Sequence, residues 1–142
     1  MTEMRIRKAG EKDISAAVGL AKSLDLDYPG MEKDRLWVAE DERDGRIFGV
    51  VALKEHPDCR ELCALGVAAS ARGRGLAKAL VRALLGETPG AVHLATVIPG
   101  FFEGLGFERT PAVPRTFLEK QKTSWCDGCD RGRCAVLLRK AS

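Results

Sequence analysis

Three groups of residues in this chain have the types and spacing to do chemistry. The first is Arg72-Gly73-Arg74-Gly75-Leu76-Ala77, where two glycines alternate with two arginines. Glycine reaches positive φ at no steric cost and lets a ligand approach the backbone closely. If a helix starts here, its first N–H groups lack intrahelical acceptors and stand at the positive end of its dipole. Such a turn favours a diphosphate, with the arginines adding charge, over the alternative of an ordinary strand-to-helix turn with surface arginines. The second group is Glu61, a carboxylate heading the otherwise apolar run Leu62-Cys-Ala-Leu-Gly-Val67. Burial disfavours the charged form, so a buried carboxylate is a stronger general base. An exposed strand start with a basic partner is the alternative. The third group is Cys126, Cys129 and Cys134 in Trp125-Cys-Asp-Gly-Cys-Asp-Arg-Gly-Arg-Cys134. A Cys-x-x-Cys pair is half of a tetrahedral zinc site; Cys134 offers a third ligand, and Cys59, Cys63 or His56 a fourth. Thiols without metal are the plainer reading. His93 lies in an apolar run and reads as structural. His56, before Pro57, reads as a solvated turn residue.

The elements that must hold these groups follow from periodicity. Leu62 to Val67 is apolar at successive positions, so a strand covered on both faces is expected. Leu76, Leu80 and Leu84 recur at helical spacing with Ala77 and Val81 beside them, while Lys78 and Arg82 fall off the stripe. That is an amphipathic helix packed on a sheet. Met4 to Ala9 reads as an edge strand with a charged second face. Ile14, Ala17, Val18, Ala21 and Leu24 make the stripe of a first helix, broken at Asp25-Leu-Asp-Tyr-Pro-Gly30. In that break, Tyr28 and its carboxylates read equally as a solvated loop or as a substrate contact. Leu36 to Glu40 and Arg46 to Leu53 are strands joined by a hairpin with Asp44-Gly45 at its tip. His56-Pro-Asp58 turns the chain into the strand at Glu61. Ala91 to Ile98 is a fifth strand, Phe101 to Leu105 a short helix, and Phe107 begins a sixth strand. Cys134 to Arg139 closes the sheet. The expectation is one α/β domain over residues 1–142, a mixed sheet with helices on both faces, carrying a Cys-rich C-terminal segment, 122–142.

Composition narrows the function. The 142 residues carry a formal net charge of +3, with no dense basic run interleaved with aromatics, so nucleic acid is not the expected partner. No stretch is apolar enough for a signal peptide or a membrane span. A cytoplasmic location is expected on that ground, and five cysteines, an odd count, exclude a full set of internal disulfides. With two histidines and no nucleophile elbow, a Ser-His-Asp hydrolase is not expected. The glycine turn matches neither a P-loop nor a dinucleotide-binding turn.

The chain resembles the GCN5-related N-acetyltransferase (GNAT) family. That family's Gln/Arg-x-x-Gly-x-Gly/Ala signature is matched by Arg72, Gly75 and Ala77. Its preceding Leu-x-Val strand end is matched by Leu65-Gly66-Val67. Its second block is matched by Phe101-Phe-Glu-Gly-Leu-Gly-Phe107. The resemblance implies a mostly antiparallel sheet whose fourth and fifth strands run parallel and splay apart, with acetyl-CoA between them. It implies diphosphate contacts at Arg72, Gly73, Arg74, Gly75, Leu76 and Ala77. The pantetheine arm would lie along Leu65, Gly66 and Val67, with an oxyanion-stabilising N–H at Gly66 or Val67. Glu61 would be the base, directly or through water. Many members protonate the leaving thiolate with a tyrosine where Phe101 and Phe102 stand here; these pack the cofactor arm or the core, and Phe102 is assigned to the cofactor.

The tail is similar to that of short amino-acid N-acetyltransferases of the N-acetylglutamate synthase kind, although its last cysteine spacing is shorter. The loop from Asp25 to Arg35 is compressed and acidic, which suits an amine-bearing acceptor. The expected activity is direct acetyl transfer from acetyl-CoA to a primary amine of a small molecule or amino acid. The rival is a coenzyme A-binding module without catalysis, with a metal-held tail for protein contact. A homodimer is left open.

Overall fold

The computed structural model describes residues 3–120 and 135–139. Seven strands form one sheet in the order β1-β2-β3-β4-β5-β7-β6. The strands are β1 (Met4–Lys8), β2 (Arg35–Asp41), β3 (Ile47–Glu55), β4 (Arg60–Val67), β5 (Val92–Thr96), β6 (Glu108–Arg109) and β7 (Ala135–Arg139). The helices are α1 (Ile14–Ser23), α2 (Leu76–Gly86), α3 (Pro99–Glu103) and α4 (Arg115–Lys120). The chain divides into two compact units: Met1–Lys54 with Leu62–Thr88, and Glu55–Glu61 with Pro89–Ser142.

In the first unit, β1, β2 and β3 are antiparallel neighbours. The alternation of β2 decides which helix each face meets. Leu36 and Val38, with Val50 and Ala52 of β3, form a core with Ala17 and Ala21 of α1. Trp37 lies on the opposite face, where its indole N–H donates to Glu87 Oε2 at 2.5 Å, just past the end of α2. The stripe of α2 is buried as expected at Leu76, Leu80, Val81 and Leu84. Helices thus cover both faces of this part of the sheet. β1 is the edge strand, and its charged face is used: Arg5 and Arg7 both bind Glu40, and Arg7 also binds Asp13. Glu40 and Asp13 are buried. Sequence periodicity did not signal this brace, because its carboxylates lie 27 residues apart on different elements.

Two expectations fail here. Tyr28 is neither solvated nor open to a ligand. It is 9% exposed, within the α1 core. Its hydroxyl donates to Asp34 at 2.7 Å, and Lys54 Nζ sits 4.7 Å from its ring centre. Burial, then Cys63 and Asp34, push its pKa well up. The cause is the end of α1, where Asp25 takes φ 58°. Its N–H bonds Lys22 and that of Leu26 bonds Ala21, the Schellman pattern that normally uses glycine. This turns the following residues back onto the sheet.

The second correction concerns β4. Its middle, Cys63 to Gly66, is half-buried rather than covered on both faces. Ala64 stands at φ 54° inside the strand and breaks the expected alternation. A left-handed step at a residue with a Cβ costs about 1–2 kcal/mol, which the surrounding packing must offset.

In the second unit, the start of β4 runs parallel to β5 through one register pair, Glu61 with His93. β7 lies antiparallel between β5 and β6. α4 was not expected from the sequence; its first turn is closed by Phe117 and Leu118 N–H groups on the Pro114 carbonyl.

Candidate active site

The glycine turn has the geometry its residue types suggest. Gly73 and Gly75 take φ 83° and 75°. Gly75 is the residue before α2, and residues 72–75 are exposed. The first helical bond is Ala79 N–H to the Gly75 carbonyl at 3.1 Å. Among the described residues, the N–H groups of residues 73–78 have no acceptor in the protein. A Cβ at Gly73 or Gly75 would meet no atom within 4 Å, so left-handed backbone, not crowding, calls for glycine there.

Individual residues divide between backbone and side-chain duty. Leu76 is buried, so its side chain belongs to the core and only its N–H faces the turn. Ala77 is half-buried. The Arg72 Nε donates to the Val67 carbonyl at 3.2 Å, tying the end of β4 to the turn. Arg74 is exposed; with Arg43, Arg46, Phe48, Ser70 and Ala71 it lines an open pocket that also holds Asp41 and Asp44. Arg46 stacks on Phe48 there, 5.2 Å from the ring centre.

On β4, Leu65 and Gly66 are half-buried and Val67 is buried. Glycine at position 66 makes room for side chains that the sequence did not place there. A Cβ there would fall 2.5 Å from Leu26 Cδ1 and 2.9 Å from Leu24 Cδ1. The residues ending α1 therefore lie directly over the glycine backbone. Phe102 is 6% exposed, with its ring edge-on to Phe101 at 5.0 Å and to Phe107 at 5.8 Å. Its side chain is part of an aromatic cluster in the second unit.

Glu61 is buried, 4% exposed, so the exposed strand-start alternative does not hold. Its Oε1 lies 2.8 Å from His56 Nε2. The His56 side chain is only 11% exposed, which overturns the reading of a solvated turn histidine. The turn supplies the reason. His56 N–H bonds the Cys59 carbonyl, and Arg60 pairs with Glu55 across the turn at 3.2 Å. The tight reversal folds His56 back over Glu61, five residues ahead. His93 is Glu61's register partner on the parallel strand, and its buried Nδ1 has no hydrogen-bond partner among the described residues. Burial lowers its pKa, and the charge of Asp58 opposes that shift.

Cys126, Cys129 and Cys134 lie outside the described residues. Among the described residues, no group of three or more His, Cys, Asp or Glu is arranged to hold a metal. His56, offered above as a fourth ligand, has its Nε2 on Glu61. No helix among the described residues is long and apolar enough to cross a membrane.

Comparison with known proteins gives this geometry a family. No curated protein matches the sequence. Solved structures share its fold. N-acetylglutamate synthase from Neisseria gonorrhoeae, complexed with coenzyme A and N-acetyl-glutamate, superposes with a TM-score of 0.72 at 19% identity. That match covers 100% of this chain but only 36% of the synthase chain. Rv2747 from Mycobacterium tuberculosis, in complex with coenzyme A, gives a TM-score of 0.70 at 20% identity, over 97% of this chain and 99% of that one. YhbS from Escherichia coli, also in complex with coenzyme A, gives 0.69 at 19%, over 100% and 83%. A family model described as an acetyltransferase (GNAT) domain matches residues 32–109, more than half of the sequence. The chain therefore belongs to the GNAT acetyltransferase family.

Proposed function

We propose that residues 1–142 act as one N-acetyltransferase domain, passing acetyl from acetyl-CoA to a primary amine of a small molecule or amino acid by direct attack. The observation that carries this reading is the run of N–H groups at residues 73–78 without an acceptor among the described residues, on an exposed turn opening α2. Those amides, with Arg72 and Arg74, hold the diphosphate. Main-chain groups of Leu65, Gly66 and Val67 take the pantetheine arm, and an N–H at Gly66 or Val67 stabilises the thioester oxyanion. The left-handed step at Ala64, one residue before that stretch, supports this, because it departs from regular strand geometry.

Glu61 takes the proton of the acceptor ammonium. The proton reaches it directly or through water. The amine then attacks the thioester carbonyl, and the coenzyme A thiolate leaves. No tyrosine stands at Phe101 or Phe102 to protonate it, and a thiolate leaves without that help. The coenzyme A complexes of YhbS and Rv2747 support the cofactor, and the N-acetyl-glutamate complex of the Neisseria synthase supports an amino-acid acceptor. A zinc ion on Cys126, Cys129 and Cys134 is a separate proposal, decided by metal analysis of freshly purified protein.

Free-thiol release from acetyl-CoA, followed over a panel of amines and amino acids that includes glutamate, tests the activity. Release above background with at least one amine is expected. Tight coenzyme A binding with no acceptor-dependent release would leave only a binding module.

A further inference from the structure

Glu61 is buried and is asked to take a proton in every turnover. The net reaction converts an ammonium and a thioester into an amide, a thiol and one proton. That proton must leave Glu61 before the next cycle. His56 is placed to carry it. Its Nε2 is 2.8 Å from Glu61 Oε1, and the residue, its side chain 11% exposed, lines an open surface pocket with Glu55, Cys59, Arg60, Pro89, Gly90 and Ala91. Imidazole has two nitrogens that can take and pass a proton at neutral pH.

We propose that His56 is the proton exit of Glu61, a relay residue acting through the base. The proposal rests on the reading of Glu61 as that base. The ammonium N–H bond breaks and a Glu61 O–H bond forms. Glu61 then gives that proton to His56 Nε2, in the tautomer carrying its proton on Nδ1, and the Nδ1 proton passes to solvent. The second proton lost by the tetrahedral nitrogen ends on the departing thiolate, so charge and atoms balance.

The surroundings suit this direction. Glu55 and Arg60 pair with each other at the pocket. Asp58 is engaged by Thr116 through the backbone N–H and the hydroxyl. Arg60 also binds the Pro89 carbonyl. His93, beside Glu61 in register, lies edge-on to Phe117, 6.2 Å between ring centres. His56 thus touches both the buried carboxylate and the pocket.

The test uses His56→Ala and His56→Gln in the full chain. Turnover is expected to fall about 10- to 100-fold in both, with KM for acetyl-CoA within about twofold of wild type. Added imidazole restores His56→Ala, increasingly as pH rises and the free base grows, and does not restore Glu61→Gln. Wild-type turnover in both variants overturns the relay; so does a loss that imidazole leaves untouched. Imidazole nitrogen NMR on unliganded protein needs no turnover. Glu61→Gln must shift the His56 ring signals, and unmoved signals overturn the pairing on which the relay depends. If wild-type protein acetylates nothing while those signals do shift, the acetyltransferase reading fails and the His56–Glu61 pair stands without a proton to export.

Discussion

The glycine turn at residues 72–77 and the start of β4 at Glu61 do different kinds of chemistry by different means. The turn presents main-chain N–H groups on an exposed surface, and its glycines stand at positive φ with open space beside them. Glu61 presents a side chain, buried and fastened to a histidine from a neighbouring turn. Backbone chemistry needs only the right φ angles and a helix start, both local properties. Side-chain chemistry needs burial and a partner, and both come from packing. Substitutions in the first region should therefore act on binding, and those in the second on rate.

The largest effect on coenzyme A binding is expected at the turn. Gly75→Asp adds a negative charge and a Cβ at φ 75° where the diphosphate would lie. Coenzyme A affinity should fall by roughly 100-fold or more, about 3 kcal/mol. Gly75→Ala carries only the left-handed strain, about 1–2 kcal/mol, and should fall between that variant and wild type. Calorimetric titration that found Gly75→Asp binding normally would end the cradle argument.

Phe102 sharpens the comparison because it was assigned to the cofactor yet sits in an aromatic cluster. Phe102→Ala should cost about 3–5 kcal/mol of folding stability by urea denaturation. Unchanged stability with weakened coenzyme A binding would return it to the cofactor side.

Arg7→Met should cost about 2–3 kcal/mol, because Glu40 and Asp13 would be left without their shared partner. The same brace sets a pH dependence. Hydrogen bonds from Arg7 and then Arg5 lower the Glu40 pKa to about 2, and Arg7 lowers that of Asp13 to about 2. Both folded values lie below the unfolded ones. The brace therefore stabilises fully above about pH 4.5 and is lost as pH falls toward 2. Denaturation midpoints measured down that range should fall more steeply in wild type than in Arg7→Met.

Gly66→Ala brings the two regions together on one strand. Its Cβ would strike the ends of Leu24 and Leu26, flexible side chains that can swing aside, so a loss of about 1–2 kcal/mol is expected. Thiol release at saturating acetyl-CoA should drop further than stability does if this backbone carries the thioester. Equal, small losses in both would move that duty elsewhere.

Glu61→Gln should leave coenzyme A affinity within about twofold while lowering turnover, with a flattened pH–rate profile. A profile identical to wild type would remove Glu61 as base.

The sequence determined whatever rests on local periodicity and on glycine. The α2 stripe at Leu76, Leu80 and Leu84, the edge strand at Met4, the hairpin tip at Asp44-Gly45 and the left-handed Gly73 and Gly75 were all legible, since each depends on residues within a few positions of one another. Tertiary structure alone decided that Tyr28 is core, that Leu24 and Leu26 cover Gly66, that Ala64 takes φ 54° within β4, and that His56 caps Glu61. Those outcomes are set by chain reversals and by contacts between separate elements. No periodic pattern encodes them, because what fixes each one is the atoms it meets after folding.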